Sequence, residues 1–303
     1  MTDTSYILVV GSVALDTVET PHGTRKAILG GSATLFALSA CRFAPVRLVS
    51  IVGKDFPAVH VEAFHRAKID TEGLEFAAGK TFRWHGRYTP DMNDRVTVGV
   101  ELNVLADYQP RVPESYRKTP YVFLANGTPA AQAAVLDRMI RPKFVCLDTM
   151  DLWIRTARTD LVRLLERVDA LIINNQEAAL LTGTLNLITA AKSILRMGPK
   201  AVLIKKAEHG GFLACGREIF SLPAYPTEEV VDPTGAGDAF AGGIMGHIAR
   251  TGDTGAKALK QALLYGTVMG SFAVEDFGVE KLVRVKPAEI EKRVRLLRKM
   301  ITL

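Results

Sequence analysis

Cysteine is scarce in this sequence of 303 residues: Cys41, Cys146 and Cys215 stand far apart and are odd in number. No C-x-x-C pair occurs, so neither a zinc ribbon nor a dithiol redox centre is expected, and the three read as reduced, mostly buried side chains of a cytoplasmic protein. Long apolar runs are missing as well. No segment approaches the ~20 residues needed to cross a bilayer, and the start, Met1-Thr2-Asp3-Thr4-Ser5, carries no basic leader. Neither export nor membrane insertion is expected. Internal repeats and tracts rich in Pro, Gly or Ser are also absent.

Charge of one sign is lacking over most of the chain. The formal net charge is +6, yet residues 281–303 alone hold eight basic side chains against Glu289 and Glu291, so the remainder is neutral. Aromatic residues do not interleave with those charges, as a stacking surface for single strands would need. The basic end therefore reads as the solvated face of a terminal helix, and no nucleic-acid partner is expected.

What is present is ordinary globular composition, 48% apolar and 23% charged, enough for a large core. Short β-branched runs at 6–10, 46–52, 121–125, 144–147, 170–173, 201–204 and 211–215 alternate with helical patterns at 32–42, 58–67, 130–139, 160–167, 187–197, 237–250 and 257–273. That alternation predicts an α/β fold, doubly wound, with a mainly parallel sheet flanked by helices. Two stretches, 16–29 and 81–103, read as strands and turns without helices. They are expected to form a small β-rich lid inserted into one domain spanning 1–303, or else an edge meander with no functional role.

The most informative segment is Asp232-Pro233-Thr234-Gly235-Ala236-Gly237-Asp238, which runs from extended chain into a helix. Pro233 disfavours helix at Asp232, Thr234 can cap, and the two glycines open backbone conformations closed to other residues. Successive N–H groups at a helix N-terminus can converge on phosphate oxygens. A carboxylate such as Asp238 repels an anion there, so its presence points to chemistry: it can take the proton of an attacking hydroxyl. Other phosphate motifs fail. Around Gly53-Lys54 a Walker loop would need glycine at Leu48 and a hydroxyl at Asp55, and a dinucleotide fingerprint would need glycine at Phe240.

With Ala239-Phe240-Ala241-Gly242-Gly243 after it, this string resembles the C-terminal signature of the ribokinase-like, phosphofructokinase-B type carbohydrate kinases. Gly11-Ser12-Val13-Ala14-Leu15-Asp16, Gly30-Gly31-Ser32-Ala33-Thr34, Val52-Gly53-Lys54-Asp55 and Asn174-Asn175-Gln176-Glu177 resemble further motifs of that family, in order. The resemblance implies ATP and Mg²⁺ as cofactors and a sugar hydroxyl as acceptor, with a nucleoside as the alternative and a catalytically silent metabolite-binding regulator as another. It implies Asp238 as base and the backbone of Gly235, Ala236, Gly237 and Asp238 as an anion hole. It also implies Asn174 and Glu177 near Mg²⁺ through water, Lys205, Thr234 and Gly210 with them on the nucleotide side, and Asp16, Gly30 and Gly31 on the substrate side. Two positions depart from the pattern: Leu35 replaces an asparagine and Ala207 a glycine. In the stretch 80–88, Phe82 or Trp84 could stack on a substrate and Arg83 supply a cation; packing within the lid, or a homodimer formed through it, would use the same residues.

Overall fold

The computed structural model describes residues 5–302; Leu303 and residues 1–4, on which the expectation about a leader rests, lie outside them. The strands among the described residues are β1 (Ile7–Val10), β2 (Ala14–Thr20), β3 (Gly23–Gly30), β4 (Val46–Gly53), β5 (Asp70–Ala77), β6 (Arg83–Tyr88), β7 (Arg95–Glu101), β8 (Tyr121–Leu124), β9 (Phe144–Asp148), β10 (Ala170–Asn174), β11 (Ala201–Lys205), β12 (Gly211–Cys215) and β13 (Glu218–Leu222). The α-helices among the described residues are α1 (Ser32–Ala40), α2 (Ala58–Arg66), α3 (Pro129–Leu136), α4 (Asp151–Thr156), α5 (Arg158–Leu165), α6 (Asn175–Thr182), α7 (Leu187–Leu195), α8 (Ala236–Thr251), α9 (Ala256–Ala273) and α10 (Pro287–Met300). Among the described residues no single helix is long and apolar enough to cross a membrane.

Nine strands form one sheet in the order β13-β12-β11-β10-β9-β8-β1-β4-β5. All neighbours are parallel except β11-β12-β13, which run antiparallel. Strands of a sheet covered on both faces read as unbroken apolar runs, and β1 is the simplest case. Ile7 and Val9 enter a core built with α1, α8, α9 and α10, whereas Leu8 and Val10 enter a second core with α3, α5, α6 and α7. The doubly wound expectation holds. From β1 the chain moves outward to β4 and β5, then returns to the other side of β1 at β8. Such a reversal opens a crevice beyond the carboxyl ends of the strands. Asp148, Asn174 and Lys205 are the last residues of β9, β10 and β11 and stand at that edge.

The edge strands β5 and β13 and the short α4 were not expected from sequence. Asp70-Thr71-Glu72-Gly73 is polar, and in Glu218-Ile219-Phe220-Ser221 polar residues flank only two apolar ones; both segments are largely exposed or half-buried, so neither carries the apolar run that marks inner strands. Cys146 is buried and Cys41 and Cys215 half-buried, all three free. In α10, Ile290, Val294 and Leu297 are buried while most of its basic residues are exposed. Arg293 is the exception: it turns inward onto the Phe272 ring and pairs with Glu275.

A second, four-stranded sheet has the order β3-β2-β6-β7 and takes both stretches expected to be β-rich. Strand alternation gives it two distinct faces. Glu19, His85 and Arg87 form a network on one, the His85 and Arg87 contacts to Glu19 measuring 2.6 and 2.5 Å. Asp16, Val18, Trp84, Gly86 and Tyr88 lie on the other, where Val18 and Tyr88 build a small core with Phe277. Its root is tied by Asp55, which accepts the N–H and hydroxyl of Thr81 (2.6 and 2.8 Å) and the guanidinium of Arg83 (2.8 Å). Arg83, expected to offer a substrate-side cation, is thus committed to Asp55 on the face away from Trp84.

Candidate active site

The turn 232–238 is held from beneath. Asp232 is fully buried; its Oδ1 accepts the Thr234 N–H at 2.8 Å and its Oδ2 the Gly278 N–H at 2.9 Å. The N–H groups of Val231 and Asp232 donate to the Val274 carbonyl, so the turn is fastened to the end of α9. Burial raises the Asp232 pKa, and these N–H donors oppose the rise. Thr234 does not cap α8, contrary to expectation. Its hydroxyl donates to the Tyr88 hydroxyl at 3.1 Å, and the N-cap is Gly235 with φ 72°, where a side-chain oxygen is neither present nor required. Ala236 spends its N–H on the Pro233 carbonyl at 3.2 Å. The N–H groups of Gly235, Gly237 and Asp238 meet no acceptor among the described residues. They form an open cradle at the positive end of a 16-residue helix.

Four charged groups share the floor of the crevice. The Lys205 ammonium lies 3.2 and 3.3 Å from the two carboxylate oxygens of Asp148. Burial works against its charge, but Asp148, Glu177 and Asp238 outweigh that and raise its pKa. Three carboxylates around one lysine leave excess negative charge. Asp238 is pushed up to about 8, chiefly by burial and next by the charge of Asp148. Glu177 is pushed to about 7, again mainly by burial. Asn174 and Glu177 make a capping box at α6: Asn174 Oδ1 accepts the Glu177 N–H at 2.7 Å and Glu177 Oε2 accepts the Asn174 N–H at 2.9 Å. Sequence reasoning missed Asp148. Its signal was a carboxylate ending the apolar run Phe144-Val145-Cys146-Leu147, at the edge where open sheets bind ligands.

Across the crevice, Asp16 is 5% exposed and its Oδ1 has no hydrogen-bond partner among the described residues. Burial raises it to about 7, with the Gly31 and Trp84 N–H groups opposing and Asp232 reinforcing the shift. Its carboxylate folds over Gly30, whose place a Cβ would bring within 2.0 Å of Oδ2. Gly31, at φ 95°, starts α1, and a Cβ there would stand 2.5 Å from the Ser12 carbonyl. Leu35, the departure noted above, is 2% exposed and lies directly against Gly235. The two halves of the crevice therefore meet at Leu35.

The small sheet forms the roof. Trp84 lies over Gly86, so closely that a Cβ would fall 1.9 Å from the indole. Arg95 stands opposite Tyr88 in the β6–β7 pair, its guanidinium 5.9 Å from the Trp84 ring centre. Gly210 is placed differently from the rest: with φ 84° it closes the turn after β11, walled in by the Leu222 carbonyl. Ala207 in the same turn has φ 46°, a conformation that glycine adopts without strain.

The donor set tests the fit of Mg²⁺. It is all oxygen, and its members gain from added positive charge, as a hard cation requires. Among the described residues no group of three His, Cys, Asp or Glu side chains could ligate a metal directly. An all-oxygen set of this kind suits an ion that keeps much of its water shell.

The profile of the pfkB family carbohydrate kinases matches residues 4–284. Cytidine kinase of Thermococcus kodakarensis is 34% identical over 251 residues, covering 80% of this chain and 88% of that protein. Nucleoside kinase of Methanothermobacter thermautotrophicus is 26% identical over 296 residues, covering 92% and 93%. Among solved structures, the Methanocaldococcus jannaschii nucleoside kinase superposes with a TM-score of 0.78 at 20% identity, covering 96% of this chain and 98% of that one.

Proposed function

The chain belongs to the pfkB family of carbohydrate kinases, and from that premise we propose that it is an ATP- and Mg²⁺-dependent kinase whose acceptor is a nucleoside rather than a free sugar. The single observation that carries the choice is the indole of Trp84, laid on Gly86 on the same face of the small sheet as Asp16. A flat aromatic surface beside a buried carboxylate with one oxygen, Oδ1, left without a partner matches a ligand with a planar base at one end and a diol at the other. The two relatives named for nucleosides agree with this acceptor.

In the proposed reaction the ribose hydroxyls meet Asp16 Oδ1 and the base stacks on Trp84. A primary hydroxyl then faces Asp238. As the bond from that oxygen to the γ-phosphorus forms, its proton passes to the Asp238 carboxylate and the bond to ADP breaks. The N–H groups of Gly235, Gly237 and Asp238 receive the charge on the transferred group, which in a loose transition state is most of what the protein must supply. Glu177 and Asn174 would hold Mg²⁺ through water, where the ion would supply charge neutralisation for phosphate oxygens. Lys205 lies beside Gly237 and holds the nucleotide side of the cradle. Thr234 acts through its contact with Tyr88, and the four-stranded sheet serves as the lid.

A coupled ADP-release assay over cytidine, uridine, adenosine, inosine, ribose and fructose tests the reading. Nucleosides should be turned over with kcat/KM at least ~10-fold above the free sugars. Trp84→Ala should raise the nucleoside KM by roughly 5- to 150-fold, the worth of one stacked base. Asp238→Asn should lower kcat by about 10²- to 10⁴-fold as a lost general base. Preference for ribose or fructose, or an unchanged KM in Trp84→Ala, would show the acceptor to be a sugar.

A further inference from the structure

The lid strands carry four arginines, and three are already committed. Arg83 pairs with Asp55, Arg87 with Glu19, and Arg25 lies 4.6 Å over the Phe277 ring. Arg95 has no carboxylate partner among the described residues, although it shares the cleft-facing side with Trp84 and Tyr88. Its position along β7 is set by two contacts. It lies directly opposite Tyr88, and the Tyr88 hydroxyl meets the Thr234 hydroxyl at 3.1 Å, one residue before the N-cap of the cradle. A guanidinium without a carboxylate partner, hydrogen-bonded to the Tyr88 side chain, is therefore suspended from the roof above the turn that ends in Asp238.

We propose that Arg95 is the lid's phosphate-facing cation: it closes the charge cage around the transferred phosphoryl group from the side opposite the Gly235–Asp238 N–H groups, and Tyr88 is the positioning residue that sets it there. This rests on the turn being the anion cradle and Asp238 the base; it does not depend on which acceptor is used. The cradle donates from one side only, and the γ-phosphoryl group spreads its developing charge over three equatorial oxygens. A planar, permanently charged fork is suited to the oxygens left uncovered. Arg95 neither gains nor loses a proton. The acceptor O–P bond forms, the bond to the ADP oxygen breaks, and the acceptor proton goes to Asp238. The positive charge of Arg95 already reaches Asp238 and pulls its pKa down, which agrees with the placement. Arg95 is exposed, so replacing it should not endanger folding.

The test compares wild type, Arg95→Met, Arg95→Lys and Tyr88→Phe by steady-state kinetics and by calorimetric binding of Mg·ADP with acceptor, in the presence and absence of aluminium fluoride. In Arg95→Met, kcat should fall by ~10²-fold or more, at the lower end of the range for arginine fingers. Affinity for Mg·ADP should stay within about twofold, while the tightening caused by aluminium fluoride in wild type should disappear. Arg95→Lys should recover part of both kcat and tightening, and Tyr88→Phe should lose part of both. A kcat within about threefold of wild type, or tightening retained in Arg95→Met, overturns the proposal. So does a defect confined to acceptor KM, which would make Arg95 a contact to the substrate base. Wild type lacking the tightening, or turning over no acceptor, would instead bring down the cradle reading and this proposal with it. Sugar-only turnover with the Arg95→Met defect intact would remove the nucleoside reading and leave this one standing.

Discussion

Gly235→Ala is expected to destabilise the protein in a way that depends on Leu35. At φ 72° an L-residue costs roughly 1–2 kcal/mol more than glycine. The added Cβ would also fall 2.0 Å from Leu35 Cδ1 and 3.0 Å from its Cγ. Leu35 is 2% exposed within the main core, so the overlap is taken as overpacking and adds about 1–3 kcal/mol. The expected total is about 2–5 kcal/mol. Leu35→Ala alone should cost about 2–5 kcal/mol by leaving a cavity. In the double variant the clash is gone and the new methyl group fills part of that cavity. Its loss should fall short of the summed single losses by about 1–3 kcal/mol, leaving the backbone contribution. Urea unfolding at unchanged m reads all three values. Turnover should follow the backbone instead of the packing: both Gly235→Ala proteins should lose about 10²-fold in kcat as the N–H groups move, comparable to removing an oxyanion donor. Leu35→Ala should keep most of its turnover. Additivity within about 0.5 kcal/mol would show that Leu35 and Gly235 do not press on one another, and the packing argument would be wrong.

Two further outcomes follow from the same site. Because burial and Asp148 raise Asp238 to about 8 and a base must be ionised, kcat/KM measured at low concentrations of both substrates should climb tenfold per pH unit up to about pH 8; a limb near the ordinary carboxylate value, flat from pH 6 to 9, would remove Asp238 as the titrating base. Ala207→Gly should be neutral or stabilising by up to about 1 kcal/mol, since relief of the strain at φ 46° exceeds the entropy that glycine adds to the unfolded chain. The control Ala178→Gly, in the interior of α6, should lose about 1 kcal/mol. Equal losses in both would show that Ala207 carries no strain.

The inner strands were legible because burial on both faces writes each as a short apolar run, and β1, β4, β8, β10, β11 and β12 fall close to where those runs lie. Edge strands β5 and β13 were not, since half of each answers to water. The turn 232–238 was legible because its instructions are contiguous. Proline, two glycines and a carboxylate favour an extended-to-helix junction with open N–H groups, which distant groups then hold in place. Even there the cap was misassigned: Thr234 looked like a local capper, and its hydroxyl went to Tyr88, a partner 146 residues away.

The α/β alternation, the turn with open N–H groups and the carboxylate that ends it are all written locally, because they depend on backbone preferences and burial that act over a few neighbouring residues. Long-range packing set the rest: that Asp148 from β9 meets Lys205 from β11, that Leu35 presses on Gly235, and that Arg95, not Arg83, faces the crevice. Each of these depends on strand register and on which face turns inward. A register difference of one residue reverses every side chain, and that choice is made by the pairing of distant strands rather than by the residues themselves.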